Sequence, residues 1–118
     1  MRHLSGPLTA IILSMVLAGQ VAAASITVRI TSLPAVNHGG YETAIVATRA
    51  GASCSITVTY YSGTSTASGL YRKTASSTGR VSWTWKVGTR TRAGSWPVRV
   101  VCRYGTATGS ATRYLRVY

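Results

Sequence analysis

Gly79-Arg80-Val81-Ser82-Trp83-Thr84-Trp85-Lys86-Val87 is the stretch whose reading decides the fold. Val81, Trp83, Trp85 and Val87 are apolar and Ser82, Thr84 and Lys86 between them are polar, the period-two pattern of a strand that buries one face. Both tryptophans therefore point the same way, into a core or out onto a flat aromatic platform. Val81 and Val87 share their phase, and apolar residues elsewhere need buried partners. The stretch reads as a core strand, because large aromatics dominate burial in a small domain.

Working outward, the same alternation recurs with no helical periodicity anywhere. Ile26, Val28 and Ile30 alternate with Thr27 and Arg29 in a first strand over residues 26–33, and residues 41–49 make a second beyond the Asn37-His38-Gly39-Gly40 turn. Cys54, Ile56, Val58 and Tyr60 share one face of a third strand, over residues 54–61. A Ser, Thr and Gly-rich loop over residues 62–69 leads to a poorly alternating fourth, residues 70–75. After the opening stretch and a loop carrying Arg90 and Arg92, the residues Trp96, Val98, Val100, Cys102 and Tyr104 alternate with Pro97, Arg99, Val101 and Arg103. A turn over residues 105–109 precedes a last strand over residues 112–118. About seven short antiparallel strands with regular turns predict an all-β fold, a sandwich or a small barrel.

The chain begins differently. Met1-Arg2-His3 is basic, residues 8–18 are apolar, and Ala22-Ala23-Ala24 supplies the small residues that a signal peptidase reads. Residues 1–24 are expected to be a signal peptide and residues 25–118 the mature domain. The apolar run is short for an uncleaved anchor, which needs about 20 residues to span a bilayer. Export makes a disulfide the default state of Cys54 and Cys102, the only cysteines. Closing a loop of almost fifty residues is worth about 4 kcal/mol on chain-entropy arithmetic.

The cysteines favour the sandwich. In an immunoglobulin-like β-sandwich the third and sixth strands are antiparallel neighbours in one sheet, so the start of one lies beside the end of the other. Each cysteine is in phase with the apolar residues of its own strand, which puts the bridge on the buried face. Antibody domains instead bridge their second and sixth strands across the two sheets.

A resemblance strengthens this reading. Cys54-Ser55-Ile56-Thr57-Val58-Thr59-Tyr60-Tyr61-Ser62-Gly63, then Gly69-Leu70, Lys73-Thr74-Ala75, the opening stretch, Gly94-Ser95-Trp96-Pro97-Val98 and Cys102 resemble a bacterial extracellular Ig-like module. Its Trp-Thr-Trp and Trp-Pro elements and its Cys pair carry the likeness, which covers about half of the mature chain. The resemblance implies a sandwich with a secreted accessory role and brings no catalytic residues with it.

The chemistry is bounded by what is missing. Beyond the leader the chain has no aspartate, one glutamate (Glu42) and one histidine (His38). Two carboxylates for glycoside hydrolysis cannot be assembled. A serine nucleophile has no base and orienting group at a suggestive spacing, since His38 reads as a turn residue. One histidine, one carboxylate and two oxidised cysteines make no metal shell, and no phosphate loop is present. The expectation is a protein that is not an enzyme and that holds no cofactor or metal.

Charge remains. The formal net charge is +12 with 13 basic residues, and loss of Arg2 with the leader leaves twelve bases against Glu42. Such a surplus concentrates anionic partners through its summed field, though it also serves solubility. The predicted outer face of the third, sixth and seventh strands gathers Tyr61, Arg99, Arg103, Tyr114, Arg116 and Tyr118. Arginines interleaved with tyrosines suit recognition of phosphate or carboxylate by forked hydrogen bonds and stacking. Cross-strand Tyr and Arg pairs can equally serve the sheet itself.

The sequence therefore predicts a secreted, non-catalytic Ig-like binding module, extracellular or cell-surface associated. Its expected partner is an anionic polymer: wall polyphosphate, acidic polysaccharide or extracellular DNA. The alternative is a structural or adhesive domain that contacts a protein by strand addition at an open edge of the last strand.

Overall fold

In the computed structural model, which describes residues 24–118, alternation of polar and apolar side chains turns most of the chain into eight strands. They are β1 (Arg29–Ser32), β2 (Tyr41–Ala47), β3 (Ser53–Tyr60), β4 (Gly63–Thr64), β5 (Lys73–Thr74), β6 (Arg80–Lys86), β7 (Gly94–Tyr104) and β8 (Ala107–Val117). Three strands form one sheet in the order β1-β2-β6. The other sheet runs β4-β3-β7-β8, with β5 added to β3. All ladders between named strands are antiparallel. The leader expected over residues 1–24 lies, but for Ala24, outside the described residues.

Packing of the two inner faces makes the core. β6 alternates exposed and buried at every position, and Trp83 and Trp85 are fully enclosed. From the same sheet Ala44, Val46 and Val81 join them; from the other come Ile56, Val58, Val98, Val100, Leu115 and Val117. The tryptophans belong to this core and form no platform. Their polar edges are satisfied as buried indoles require: Trp83 Nε1 donates to the Tyr71 carbonyl at 2.7 Å and Trp85 Nε1 to Tyr60 Oη at 3.0 Å.

Cys54 and Cys102 stand directly opposite one another in the β3/β7 ladder and form a disulfide, with their α carbons 4.1 Å apart. That is the close spacing of a non-hydrogen-bonded pair. The bridge staples neighbouring strands of one sheet, as the strand order of an immunoglobulin-like sandwich predicts, and both cysteines are buried, as their phases predict.

Three boundaries differ from the sequence expectation. The stretch over residues 70–75 keeps only Lys73–Thr74 as strand; its apolar residues Leu70 and Ala75 pack on the core from either end, and the exposed Tyr71 and Arg72 between them break the alternation. The loop over residues 62–69 contains the short β4. β8 begins at Ala107 rather than at residue 112, since a tight turn at Gly105, with φ of 61°, lets β7 and β8 pair along their full lengths.

The edge of β8 is the larger correction. Residues beside β1 run parallel to it at both ends. Ile26 N donates to Thr108 O at 3.1 Å, Val36 N to Arg116 O at 3.0 Å and Tyr118 N to Val36 O at 3.0 Å. Gly109 permits the first of these contacts, since a β carbon there would collide with the Ile26 carbonyl. Arg113 Nη1 reaches the Ile30 carbonyl at 2.9 Å in between. The open edge expected at the end of the chain is thus covered at both ends.

Candidate functional site

Burial of the one acid shapes the whole surface. Glu42 faces inward from β2, opposite Trp85, and is 2% exposed. Its Oε1 accepts a 3.2 Å hydrogen bond from the Thr43 amide, and Oε2 has no partner among the described residues. Burial raises its pKa to about 7, against the lowering effect of that hydrogen bond. Tyr60 lies beside it. Burial pushes the Tyr60 phenol up, the Trp85 hydrogen bond opposes this, and the Glu42 charge adds to the rise. Every described arginine is exposed, and so is Lys86. No carboxylate side chain among the described residues therefore faces solvent to counter them.

At one end of the sandwich this charge meets aromatic side chains. The chain turns at Tyr61 and Ser62 between β3 and β4, and residues 87–93 cross from β6 to β7 beside that turn. The Arg92 guanidinium lies 3.8 Å from the centre of the Tyr61 ring, within cation-π range. Tyr61 meets Trp96 edge to face with centroids 6.5 Å apart. Trp96 Nε1 in turn donates to the Arg92 carbonyl at 2.8 Å, so β7 anchors the arginine-bearing loop. Between the turn and the loop lie two adjoining concavities of about 170 and 300 Å³. They share Tyr60, Ser62 and Thr91. Arg90 lines the first and Lys86 the second, where Thr64, Ser65 and Thr66 add further polar groups.

The residues singled out in the sequence fall into three places. Arg99, Tyr114 and Arg116 are exposed on one sheet face: Arg99 pairs with Thr112, Tyr114 with Pro97 and Arg116 with Ser95, and directly paired residues share a face. The Arg116 guanidinium sits 5.7 Å from the ring centre of Tyr118, which extends the group to the end of the chain. Arg103 lies on the same face but four residues beyond Arg99, about 13 Å along the strand. Tyr61 has its ring partners, Arg92 and Trp96, at the turn.

Arg92, Arg90 and Lys86 were missed as site residues. The first two stand in a loop whose path the strand pattern does not fix, and Lys86 entered the sequence reading only as a polar position of the alternating stretch. The spacing Arg92-Ala93-Gly94-Ser95-Trp96, which allows an indole to reach back to a loop carbonyl, was the available signal. Two further cation-π pairs lie elsewhere, with Arg49 at 4.1 Å from Tyr104 and Lys73 at 5.2 Å from Tyr71. Among the described residues no three histidine, cysteine, aspartate or glutamate side chains converge on one point.

No family model and no curated protein matches the sequence. Solved structures match its shape. Titin M4 in its trigonal form aligns with a TM-score of 0.52 at 13% identity, over 83% of this chain and 100% of that one. The sulfur carrier protein SoxY from Chlorobium limicola f thiosulfatophilum aligns with a TM-score of 0.50 at 18% identity, over 91% of this chain and 96% of that one. At such identities the likeness speaks for fold alone, and the fold is an Ig-like all-β sandwich.

Proposed function

We propose that this is a secreted, non-catalytic Ig-like module that binds anionic extracellular polymers through its basic face. The observation that carries the reading is the burial of Glu42 beneath a surface of exposed arginines. A basic surface without acidic side chains to neutralise it attracts polyanions and holds them by ion pairing. Arg99, Arg103 and Arg116 with Tyr114 and Tyr118 supply a track along β7 and β8, and Tyr61 with Arg92 stands at its end. The Cys54–Cys102 disulfide fits an oxidising, extracellular compartment. Among the described residues no helix is long and apolar enough to cross a membrane.

A screen of the oxidised domain against immobilised wall polyphosphate, acidic polysaccharide, DNA and a neutral polysaccharide tests this. Retention on the anionic supports that is lost with added salt is the expected result. Equal retention on the neutral support, or none on any anionic one, contradicts it. The alternative reading, protein contact by strand addition, is narrowed to the middle of β8, since residues 25–26 and 36–38 already pair with its two ends.

A further inference from the structure

We infer that the cleft between the β3/β4 turn and the β6/β7 loop is a seat for one acidic sugar residue of a polysaccharide. The inference rests on the polyanion reading above and names the site and ligand class within it. Three features of the cleft select this ligand.

The first is charge of suitable reach. Lys86 and Arg90 line adjoining concavities that share Tyr60, Ser62 and Thr91, so the cleft carries two cationic side chains for a carboxylate or sulfate. Arg90 offers a planar fork to such a group and Lys86 a compact ammonium. The third cation, Arg92, is engaged over the Tyr61 ring.

The second is the density of hydroxyls. Ser62, Thr64, Ser65, Thr66 and Thr91 line the cleft together with Tyr60. Hydroxyls both donate and accept, which matches the hydroxyls of a sugar ring. A concavity of about 300 Å³ also lies at the lower end of the range for small-molecule sites, the size of one or two sugar units.

The third feature argues against nucleic acid. Single-stranded DNA and RNA are held largely by stacking of bases on open aromatic faces. At the cleft mouth, the Tyr61 ring has Arg92 over one face and the Trp96 ring packed against it at a 62° interplanar angle. The cleft thus offers a base one exposed ring, Tyr61, with Arg92 over one of its faces, rather than a succession of stacking platforms, whereas a carboxylate or sulfate needs none.

The test uses short probes that fill the cleft but cannot run the length of the basic face. Tetragalacturonate, a heparin-derived tetrasaccharide, cellotetraose and a thymidine tetranucleotide are titrated at low ionic strength, with backbone amide shifts as the readout. One or both acidic tetrasaccharides should shift Ser62, Thr91 and their neighbours, and which of them does so distinguishes carboxylate from sulfate. Replacing both Lys86 and Arg90 by serine should weaken that binding about tenfold or more, the effect of losing two charge-assisted contacts. Replacing Arg99 and Arg103 by serine should leave the tetrasaccharide affinity within about twofold while weakening retention of the long polymer, because their contacts lie on the outer face. Shifts centred elsewhere, equal losses in the two double variants, tighter binding of the tetranucleotide, or no tetrasaccharide binding would overturn the assignment. Retention of the long polymer in the same variants reports separately on the polyanion reading.

Discussion

Trp85 of the three-stranded sheet donates its indole N–H to the phenolic oxygen of Tyr60, in the other sheet, at 3.0 Å. The bond crosses the sandwich at the end where the core meets the candidate cleft. Tyr60 is at once a structural acceptor and part of the cleft lining. Tyr60→Phe leaves the buried Trp85 indole without its partner, and a stranded donor costs about 1–3 kcal/mol. Urea denaturation should show a loss in this range. An unchanged midpoint would mean that water replaces the phenol.

Glu42 should make stability fall as pH rises. Its folded pKa of about 7 lies above the ordinary carboxyl value of 4.5, so the folded protein holds a proton that the unfolded chain has already released. Below about pH 4.5 both states are protonated and the carboxyl costs nothing; above about pH 7 the full penalty, about 3 kcal/mol, is present. Glu42→Gln should remove this loss, match the wild type near pH 4.5 and exceed it at pH 8. Parallel stability profiles for the two proteins across that window would show that Glu42 is not the titrating group.

Reduction should be costly. Cys54 and Cys102 are 48 residues apart, and constraining a loop of that size stabilises by about 4 kcal/mol. The double alanine variant, compared with the oxidised protein in guanidinium denaturation, should lose an amount of this order. Coincident denaturation curves would place the stabilisation elsewhere.

Gly109→Ala should detach Ser25 and Ile26 from β8. A β carbon at this position collides with the Ile26 carbonyl, so the bond from Ile26 N to Thr108 O must break or shift. Hydrogen exchange should quicken at the Ile26 amide, with about 1–3 kcal/mol of stability lost to the overpacking. Exchange at Ile26 as slow as in the wild type would contradict this.

Alternation made most of the sheet architecture legible in the sequence. Val81, Trp83, Trp85 and Val87 lie in the core, and the phases of Cys54 and Cys102 placed their bridge on the buried face. Period-two patterns report only which way a side chain points relative to its own strand. They do not say which backbone lies along an edge, so the cover that residues 25–26 and 36–38 give to β8 was not foreseen. Loops carry no such period either. The approach of Arg90 and Arg92 to the β3/β4 turn depends on where the chain crosses between sheets, and the Trp96 contact that anchors the loop reaches back from the start of β7 to Arg92. Glu42 shows the same limit. Residues 41–49 read as a strand with no inner face assigned, so the burial of Glu42 and its consequence, a surface with no acidic side chain among the described residues, emerge only from the packing.

The affinity of the oxidised domain for a long acidic polysaccharide, measured across a salt series, tests the central claim most directly. Binding through arginines that displace counterions should fall linearly with salt on logarithmic axes, with a slope of about −3 or steeper if four or more ion contacts form. The triple replacement of Arg99, Arg103 and Arg116 by serine should make that slope shallower. An affinity that stays constant from low to physiological salt would contradict the account.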